Sequence, residues 1–524
     1  MSFTGTLLPY QKDAVDKMTD RHKVLVAYDL GLGKTVLTIC AIEELRGAGK
    51  LTKTALVVCL SSLKYQWKKE IEKFSTETAL VIDGPKGQRL SQYVTASDYS
   101  YVIVNYEQVV NDWDLVKHLE IDALIMDEAT AVKSFRSKRS KKVKELSRGV
   151  DIRFALTGTP IENGRPEELY SIMQSVDPTV LGQRFDLFDA TFIVRNKFGG
   201  VDRYRNLAKL HERVMTASVR KSQSDPDVAP FLPETIHKDP VVIPFDRNSS
   251  IVYRKIANDL AEELSDAQAS FGSGWSIDSH YGHGATTGGP EDALRGSIMS
   301  KVTSLRMLCD HPALLAKSAA LWSPYGTEGS KYLAELLEDK KIAATLAKSK
   351  SPKLDVLASL VADHLSSDDT NKVVIFCSYV LMADLIQEQT GGVVYTGAMN
   401  AVKKEEAKVK FQTDPDTRVL VSTDAGGYGV DLPQANMLVN FDLPWSSGLS
   451  VQRNGRIKRA SSRWPSVVIQ DLLMSESIEE RQFEVLHQKS AVASAVIDGK
   501  GINTRGGVDM TAGSLIGFLS ENQP

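Results

Sequence analysis

The run Gly31-Leu32-Gly33-Lys34-Thr35 sets two glycines, an amine and a hydroxyl side by side, between the apolar segment KVLVA and the helix-forming segment VLTICAIEEL. Glycines at such a point let the backbone close around an anion with its N–H groups turned inward, and a helix starting directly afterwards adds the positive end of its dipole. Lys34 would bring a point charge to the β- and γ-phosphates of a nucleotide, and the Thr35 hydroxyl would ligate Mg2+. Tyr28 stands where the strict phosphate-loop pattern begins with glycine, so a second element has to support the assignment.

Asp127-Glu128-Ala129-Thr130 supplies it. The two carboxylates follow the apolar run ALIM, which puts them at the carboxyl edge of a sheet, where ligands of open α/β folds bind. Asp127 would hold Mg2+ through its water shell, and Glu128 would orient and deprotonate an attacking water. Adjacent acids in a turn are usually only solvated. Behind a buried strand and downstream of a phosphate loop, they read as the metal ligand and the base of an ATP hydrolase.

Elements that alternate along the chain must hold these groups. Short β-branched runs exchange with helix-period stretches in two zones, a pattern that predicts parallel α/β sheets with crossover helices. The first zone has strands at Lys23–Ala27, Thr54–Cys59, Tyr101–Val104, Ala123–Met126 and Phe154–Leu156. The second has them at Lys372–Phe376, Val393–Tyr395, Arg418–Val421, Met437–Asn440 and Ser466–Leu472. Runs such as ALVVC and KVVIF suit strands covered on both faces. Between the zones, from about Pro166 to Ser351, the pattern is mainly helical. The Gly/Ser/His-rich tract 267–290 interrupts it and reads as a flexible loop in which His280 and His283 are solvated rather than metal-bound. The expected division is a first lobe over 1–235 with helices near its end, a helical insertion and linker over 236–350, a second lobe over 351–490 and a tail over 491–524 that packs on the rest.

With 524 residues, 42% hydrophobic and 25% charged, the chain has the composition of a soluble globular protein of about three domains. Its 63 basic and 66 acidic residues leave a net charge of -3, which excludes a globally basic nucleic-acid-coating protein and makes any such surface local. The basic run from Lys133 through Lys144 is part of a nucleic-acid path, a solvated helix face or a stretch that mimics a nuclear import signal. Cys40, Cys59, Cys309 and Cys377 are far apart, without Cys-x-x-Cys spacing, and read as reduced core residues. Neither a secretory leader nor a membrane span is legible, so the expectation is a cytoplasmic protein, or a nuclear one if eukaryotic, with no membrane partner.

Taken in order, the motifs resemble the SWI/SNF-type ATPase family of superfamily 2 helicase-like DNA translocases. The matching segments are LLPYQ, DLGLGKT, LVVCLSSLKYQWKKEIEKF, VIVNYEQV, DEAT and LTGTPIEN, then Arg220, Lys221 and Asp225, then LRMLCDHP, SPKLDVL, VVIFCSY, VLVSTDAGGYGVDL, QRNGRIKR and SIEERQFEVLHQK. The resemblance implies an α/β protein of two RecA-like parallel-sheet lobes in tandem with a mainly helical insertion. It further implies ATP and Mg2+ as nucleotide and metal, and double-stranded DNA as the partner of a minimal, prokaryotic or viral, monomeric motor. By resemblance Gln11 reads the base, Gly429 and Asp431 face the nucleotide, and Thr157, Thr159 and Gln452 couple phosphate state to movement. Ser61, Lys64, Asn105, Thr396, Ser422 and Thr423 are the implied backbone contacts to nucleic acid.

Arg456 and Arg459 take the finger role in this scheme, bringing positive charge to the γ-phosphate from the second lobe, an effect worth roughly 10³–10⁵ in rate. Three residues apart, they would share one face of a helix. Several positions depart from the family pattern: Thr130 for histidine, Gly455 for aspartate, Leu60 for proline and Leu8 for arginine. Gly455 resembles strand-separating relatives, so unwinding of DNA or RNA stands beside duplex translocation as an alternative. A nucleotide-sensing scaffold with little turnover is the alternative of another class.

Overall fold

Continuous apolar runs decide where the sheets form. In the computed structural model, which describes residues 2–195, 200–271, 290–326, 328–424, 430–501 and 512–521, each of the ten expected strands is present within two residues of its expected ends. The first sheet contains β1 (Lys23–Tyr28), β2 (Thr54–Cys59), β3 (Ala79–Val81), β4 (Tyr101–Asn105), β5 (Ile121–Asp127) and β6 (Ile152–Leu156). Two short strands, β7 (Ile193–Arg195) and β8 (Val201–Tyr204), pair with each other, and β9 (Ser218–Lys221) returns to the first sheet. Its order is β3-β4-β2-β5-β6-β1-β9, parallel throughout. Every residue of β2, β4 and β6 is buried, as expected where crossover helices cover both faces of a sheet.

The second sheet is built from β10 (Glu234–His237), β11 (Val241–Ile243), β12 (Val373–Cys377), β13 (Val393–Tyr395), β14 (Val419–Thr423), β15 (Met437–Asn440) and β16 (Ser466–Met474). Its order is β10-β16-β15-β12-β14-β13, and β11 pairs with the far end of β16.

The chain divides into two units: residues 1–194, 203–232 and 489–506 form one, and 195–202, 233–488 and 507–524 the other. The stretch 236–350 therefore belongs with the second sheet. Its helices Arg247–Phe271, Pro290–Asp310 and Pro312–Leu321 share one apolar core with Ile375 of β12 and Leu357 of the helix Pro352–Ser367. The helix Ala512–Glu521 sets Leu515 and Leu519 into that same core. Most of the tract 267–290 lies outside the described residues, His280 and His283 included.

All four cysteines are buried as free thiols. Burial and the neighbouring Glu44 push Cys40 up to about 12. No helix among the described residues is long and apolar enough to cross a membrane.

Candidate functional site

Strand order ranks the chemical groups of the first unit along one sheet edge. Because the strands are parallel, the segments following β1, β2, β4, β5 and β6 all emerge at the carboxyl edge. β6 lies between β5 and β1. Thr157-Gly158-Thr159 therefore stands between the glycine turn, which holds Lys34 and Thr35, and the acids Asp127 and Glu128. Ser61 follows β2 and Asn105 ends β4, farther along the same edge.

In the glycine turn, Gly31 and Gly33 both have φ near +80°, and Gly33 is the N-cap of the helix Lys34–Gly47. A Cβ on Gly33 would lie 2.3 Å from the Gln11 amide nitrogen, so a side chain there would both strain the backbone and displace Gln11. Gln11 is tied to the turn: Nε2 donates to the Leu32 carbonyl at 3.1 Å, and Oε1 accepts from the Leu8 N–H at 2.9 Å. Lys34 folds back over the turn, with Nζ donating to the carbonyls of Tyr28 and Asp29 at 2.9 and 3.1 Å. At Gly158 an added Cβ would meet Leu30 at 3.2 Å, so the segment Thr157-Gly158-Thr159 packs directly against the turn.

The side of the turn next to β9 is braced by Arg220, which the sequence reading matched to the family pattern without assigning it a contact, and by Gln223 and Asp498, which it did not single out. β9 pairs Arg220 with Ala27 and Lys221 with Tyr28, and the Arg220 guanidinium bridges the carboxylates of Asp29 and Asp498. Gln223 donates from its backbone to Asp29 at 2.9 Å and from its side chain to the Leu30 carbonyl at 2.8 Å.

Asp127 closes β5 with its side chain 9% exposed. Its Oδ2 accepts from the Trp67 indole N–H at 2.8 Å, Oδ1 accepts from the Glu128 N–H at 2.9 Å, and its carbonyl accepts from the Tyr106 hydroxyl at 2.8 Å. Burial pushes this carboxyl above its ordinary range, against the opposing pull of Trp67, the Lys34 charge and the Glu128 N–H. Glu128 sits in the left-handed region, φ 48° and ψ 57°, a conformation that strains a residue with a Cβ and clusters at functional sites. Thr157 Oγ1 accepts from the Thr159 N–H at 3.1 Å, while Thr159 Oγ1 is buried with no hydrogen-bond partner. An oxygen donor set of Thr35 and Asp127 suits a hard divalent cation.

The implied nucleic-acid contacts of this unit are placed unequally. Ser61 opens a short turn and is exposed. Lys64 is 2% exposed, and its ammonium is taken up by the Ile82 carbonyl at 2.9 Å and by Asp83 at 2.8 Å. Asn105 caps the helix Tyr106–Asn111, accepting from the Gln108 N–H at 2.7 Å while Gln108 returns the bond at 2.8 Å. Within the basic run, Lys133 pairs with Glu162, Arg139 with Glu107 and Lys142 with Glu145.

In the second unit Thr396, Ser422 and Thr423 are buried at the ends of β13 and β14, where Thr423 Oγ1 accepts from the Gly397 N–H at 3.2 Å. Gly429 lies outside the described residues. Asp431 and Arg459 meet at 2.7 Å, the carboxylate side chain 52% exposed. Gln452 is buried, its Oε1 without a partner. The shared helix face expected for Arg456 and Arg459 is not formed. The helix Ser447–Asn454 ends before both, with Gly455 at its cap and the Arg456 N–H bonded to the Arg453 carbonyl three residues back. Glycine there removes helix propensity, so Arg456 lies in the turn that follows and Arg459 in the irregular segment beyond it. Arg453, which the sequence reading passed over, is the most enclosed arginine of the segment. It is 1% exposed, with bonds of 2.6 and 2.8 Å to Asp424 and of 3.1 Å to Asp442.

Comparison with known proteins adds to this geometry. A model described as the SNF2-related domain matches residues 10–314, and one described as the helicase conserved C-terminal domain matches residues 352–461. The chain is 24% identical to the human DNA repair and recombination protein RAD54B, over 94% of this chain and 55% of that protein. It is also 24% identical to the yeast (Saccharomyces cerevisiae) ISWI chromatin-remodeling complex ATPase ISW1, over 94% of this chain and 41% of that protein. It thus spans about half the length of the curated relatives it matches. Among solved structures, the Hef helicase domain of Pyrococcus furiosus has the same fold, with a TM-score of 0.51 and 17% identity over 91% of this chain and 97% of that one.

Proposed function

We infer, for a chain that belongs to the SNF2-related family and continues into a helicase C-terminal domain, an ATP-hydrolysing motor that translocates on double-stranded DNA. The observation that carries the reading is the order of groups along the first sheet's edge: anion turn with Lys34 and Thr35, coupling threonines, then Asp127 and Glu128. Lys34 exchanges its bonds to the Tyr28 and Asp29 carbonyls for the β- and γ-phosphates, and the N–H groups of the glycine turn accommodate their oxygens. Gln11, already bonded to the turn, reads the base. Mg2+ held by Thr35 and Asp127 would neutralise charge on the phosphate oxygens. Glu128 takes the proton of the attacking water, and Arg456 and Arg459 have the finger role.

Two relatives support the DNA assignment, one described as a DNA repair and recombination protein and the other as a chromatin-remodeling ATPase. Ser61, exposed after β2, is the best placed backbone contact of the first unit. The buried Lys64 serves instead to pin the start of its helix to Asp83. The reading is tested by steady-state ATPase assays with duplex DNA, single-stranded DNA and RNA, together with a triplex-displacement assay for movement. Duplex DNA is expected to stimulate turnover most and to support displacement. Strongest stimulation by RNA, or strand separation without duplex movement, would overturn it in favour of an unwinding helicase.

A further inference from the structure

A buried tryptophan needs a hydrogen-bond acceptor for its indole N–H, and the choice of acceptor carries information. Trp67 is 2% exposed on the helix Lys64–Phe74, which follows β2, and it reaches across to the end of the neighbouring strand β5. Its Nε1 donates to Asp127 Oδ2 at 2.8 Å, sixty residues away in sequence. The other carboxylate oxygen accepts the Glu128 N–H at 2.9 Å, and the Asp127 carbonyl accepts the Tyr106 hydroxyl at 2.8 Å. One in-chain donor on each carboxylate oxygen fixes the plane of the group, and each oxygen retains a lone pair for a further donor or for metal-bound water.

We propose that Trp67 is a positioning residue for the divalent cation: its indole N–H holds the Asp127 carboxylate in the rotamer that presents it to Mg2+. The proposal rests on the reading of Asp127 as a Mg2+ contact. Groups that orient metal-contacting carboxylates from behind typically change metal affinity about 10–100-fold when removed. Packing alone would be served equally well by phenylalanine, which fills much of the same space without the N–H.

The test is a Mg2+ titration of the binding of a fluorescent ADP analogue to the full chain, with Trp67→Phe and Asp127→Asn beside the wild type. Trp67→Phe is expected to raise the half-saturating Mg2+ concentration about tenfold or more while leaving analogue binding in EDTA unchanged. A wild-type Mg2+ requirement in Trp67→Phe, whatever its melting temperature, overturns the proposal. Asp127→Asn separates the two layers: if it too keeps the wild-type requirement, the Mg2+ role of Asp127 has failed rather than the positioning role of Trp67. Should Trp67→Phe not fold, the indole 1H–15N resonance of Trp67 in the otherwise native chain gives the same decision. It is expected to shift both on adding Mg2+ with ADP and on Asp127→Asn, and a resonance unmoved by both refutes the idea.

Discussion

Lys353 carries its ammonium into the interior of the second unit and places it 2.6 and 2.8 Å from the two carboxylate oxygens of Glu479. Both side chains are at most 2% exposed, and Asp310 lies 3.4 Å from the same ammonium. Burial pushes the Asp310 carboxyl well up, and the charge of Asp442 adds to the effect. The shorter contacts make Lys353 with Glu479 the ion pair, and Asp310 is expected to be their neutral neighbour. Removing one partner of a buried pair leaves a charge without compensation, at a cost of about 3–5 kcal/mol. Lys353→Ala and Glu479→Gln are each expected to lose stability on that scale, whereas Asp310→Asn should stay within about 1 kcal/mol. Urea unfolding of the three variants checks the assignment. Equal losses for Asp310→Asn and Glu479→Gln would mean that Asp310 is ionised.

Acid should weaken this unit through its histidines. His311 caps the helix Pro312–Leu321, its Nδ1 accepting from the Ala313 N–H at 3.0 Å, and only an unprotonated nitrogen can do so. Burial holds both His311 and His364 below their ordinary range. The unfolded chain, with histidine near 6.5, then binds protons first as pH falls. Stability is fully present above about pH 6.5 and is lost as pH drops through that value toward the folded one. Comparing urea midpoints at pH 7.5 and pH 5.5 measures the loss. His311→Asn, which keeps a capping oxygen without a titrating ring, should show a smaller difference than the wild type.

Arg453 and Arg459 separate a structural arginine from a chemical one. Arg453 forks onto Asp424 inside the second unit, and a lysine cannot reproduce two parallel bonds. Arg453→Lys should therefore lower stability by about 1–3 kcal/mol. Arg459 is itself 6% exposed and pairs with Asp431, whose side chain is half exposed and remains in reach of water, so Arg459→Ala should lower stability by about 1–3 kcal/mol without leaving a buried charge behind. The proposed finger role predicts that turnover falls as well, by roughly 10³ or more. Denaturation curves paired with ATPase rates on both variants check the contrast. A stable Arg453→Lys, or an active Arg459→Ala, would reverse the roles.

These arginines also mark where the sequence stops being legible. Strands such as TALVVC and VVIFC were readable because residues buried on both faces leave a continuous apolar run. The segments β9, SVRK, and β10, ETIH, were not, because edge strands of four residues carry polar side chains and no run. Lys34, Asp127 and Glu128 could be found because adjacent residues of fixed type follow such runs. Trp67, Arg220 and Asp498 gain their places at the site only through contacts that span tens to hundreds of positions, and no local pattern encodes those. For the same reason the resemblance names Lys64 as a nucleic-acid contact with no sign in the sequence of its ion pair to Asp83, nineteen residues on.

Glu128 joins a strained backbone to the proposed role of water activation. Its left-handed backbone, φ 48°, costs a non-glycine residue roughly 1–2 kcal/mol, more than the roughly 0.5–1 kcal/mol of chain entropy that glycine loses on folding. Glu128→Gly should therefore fold with up to about 1 kcal/mol more stability and hydrolyse no ATP. Glu128→Gln keeps the shape and the strain but cannot accept a proton. It should bind the nucleotide with nearly unchanged affinity while turnover falls about 10²–10⁴-fold. Lys34→Ala, by contrast, removes the phosphate charge and should lose binding and turnover together. Nucleotide affinity, steady-state rate and melting temperature measured on the three variants distinguish the roles: wild-type hydrolysis by Glu128→Gln would remove this residue from water activation, and a destabilised Glu128→Gly would show that its side chain holds the turn rather than straining it.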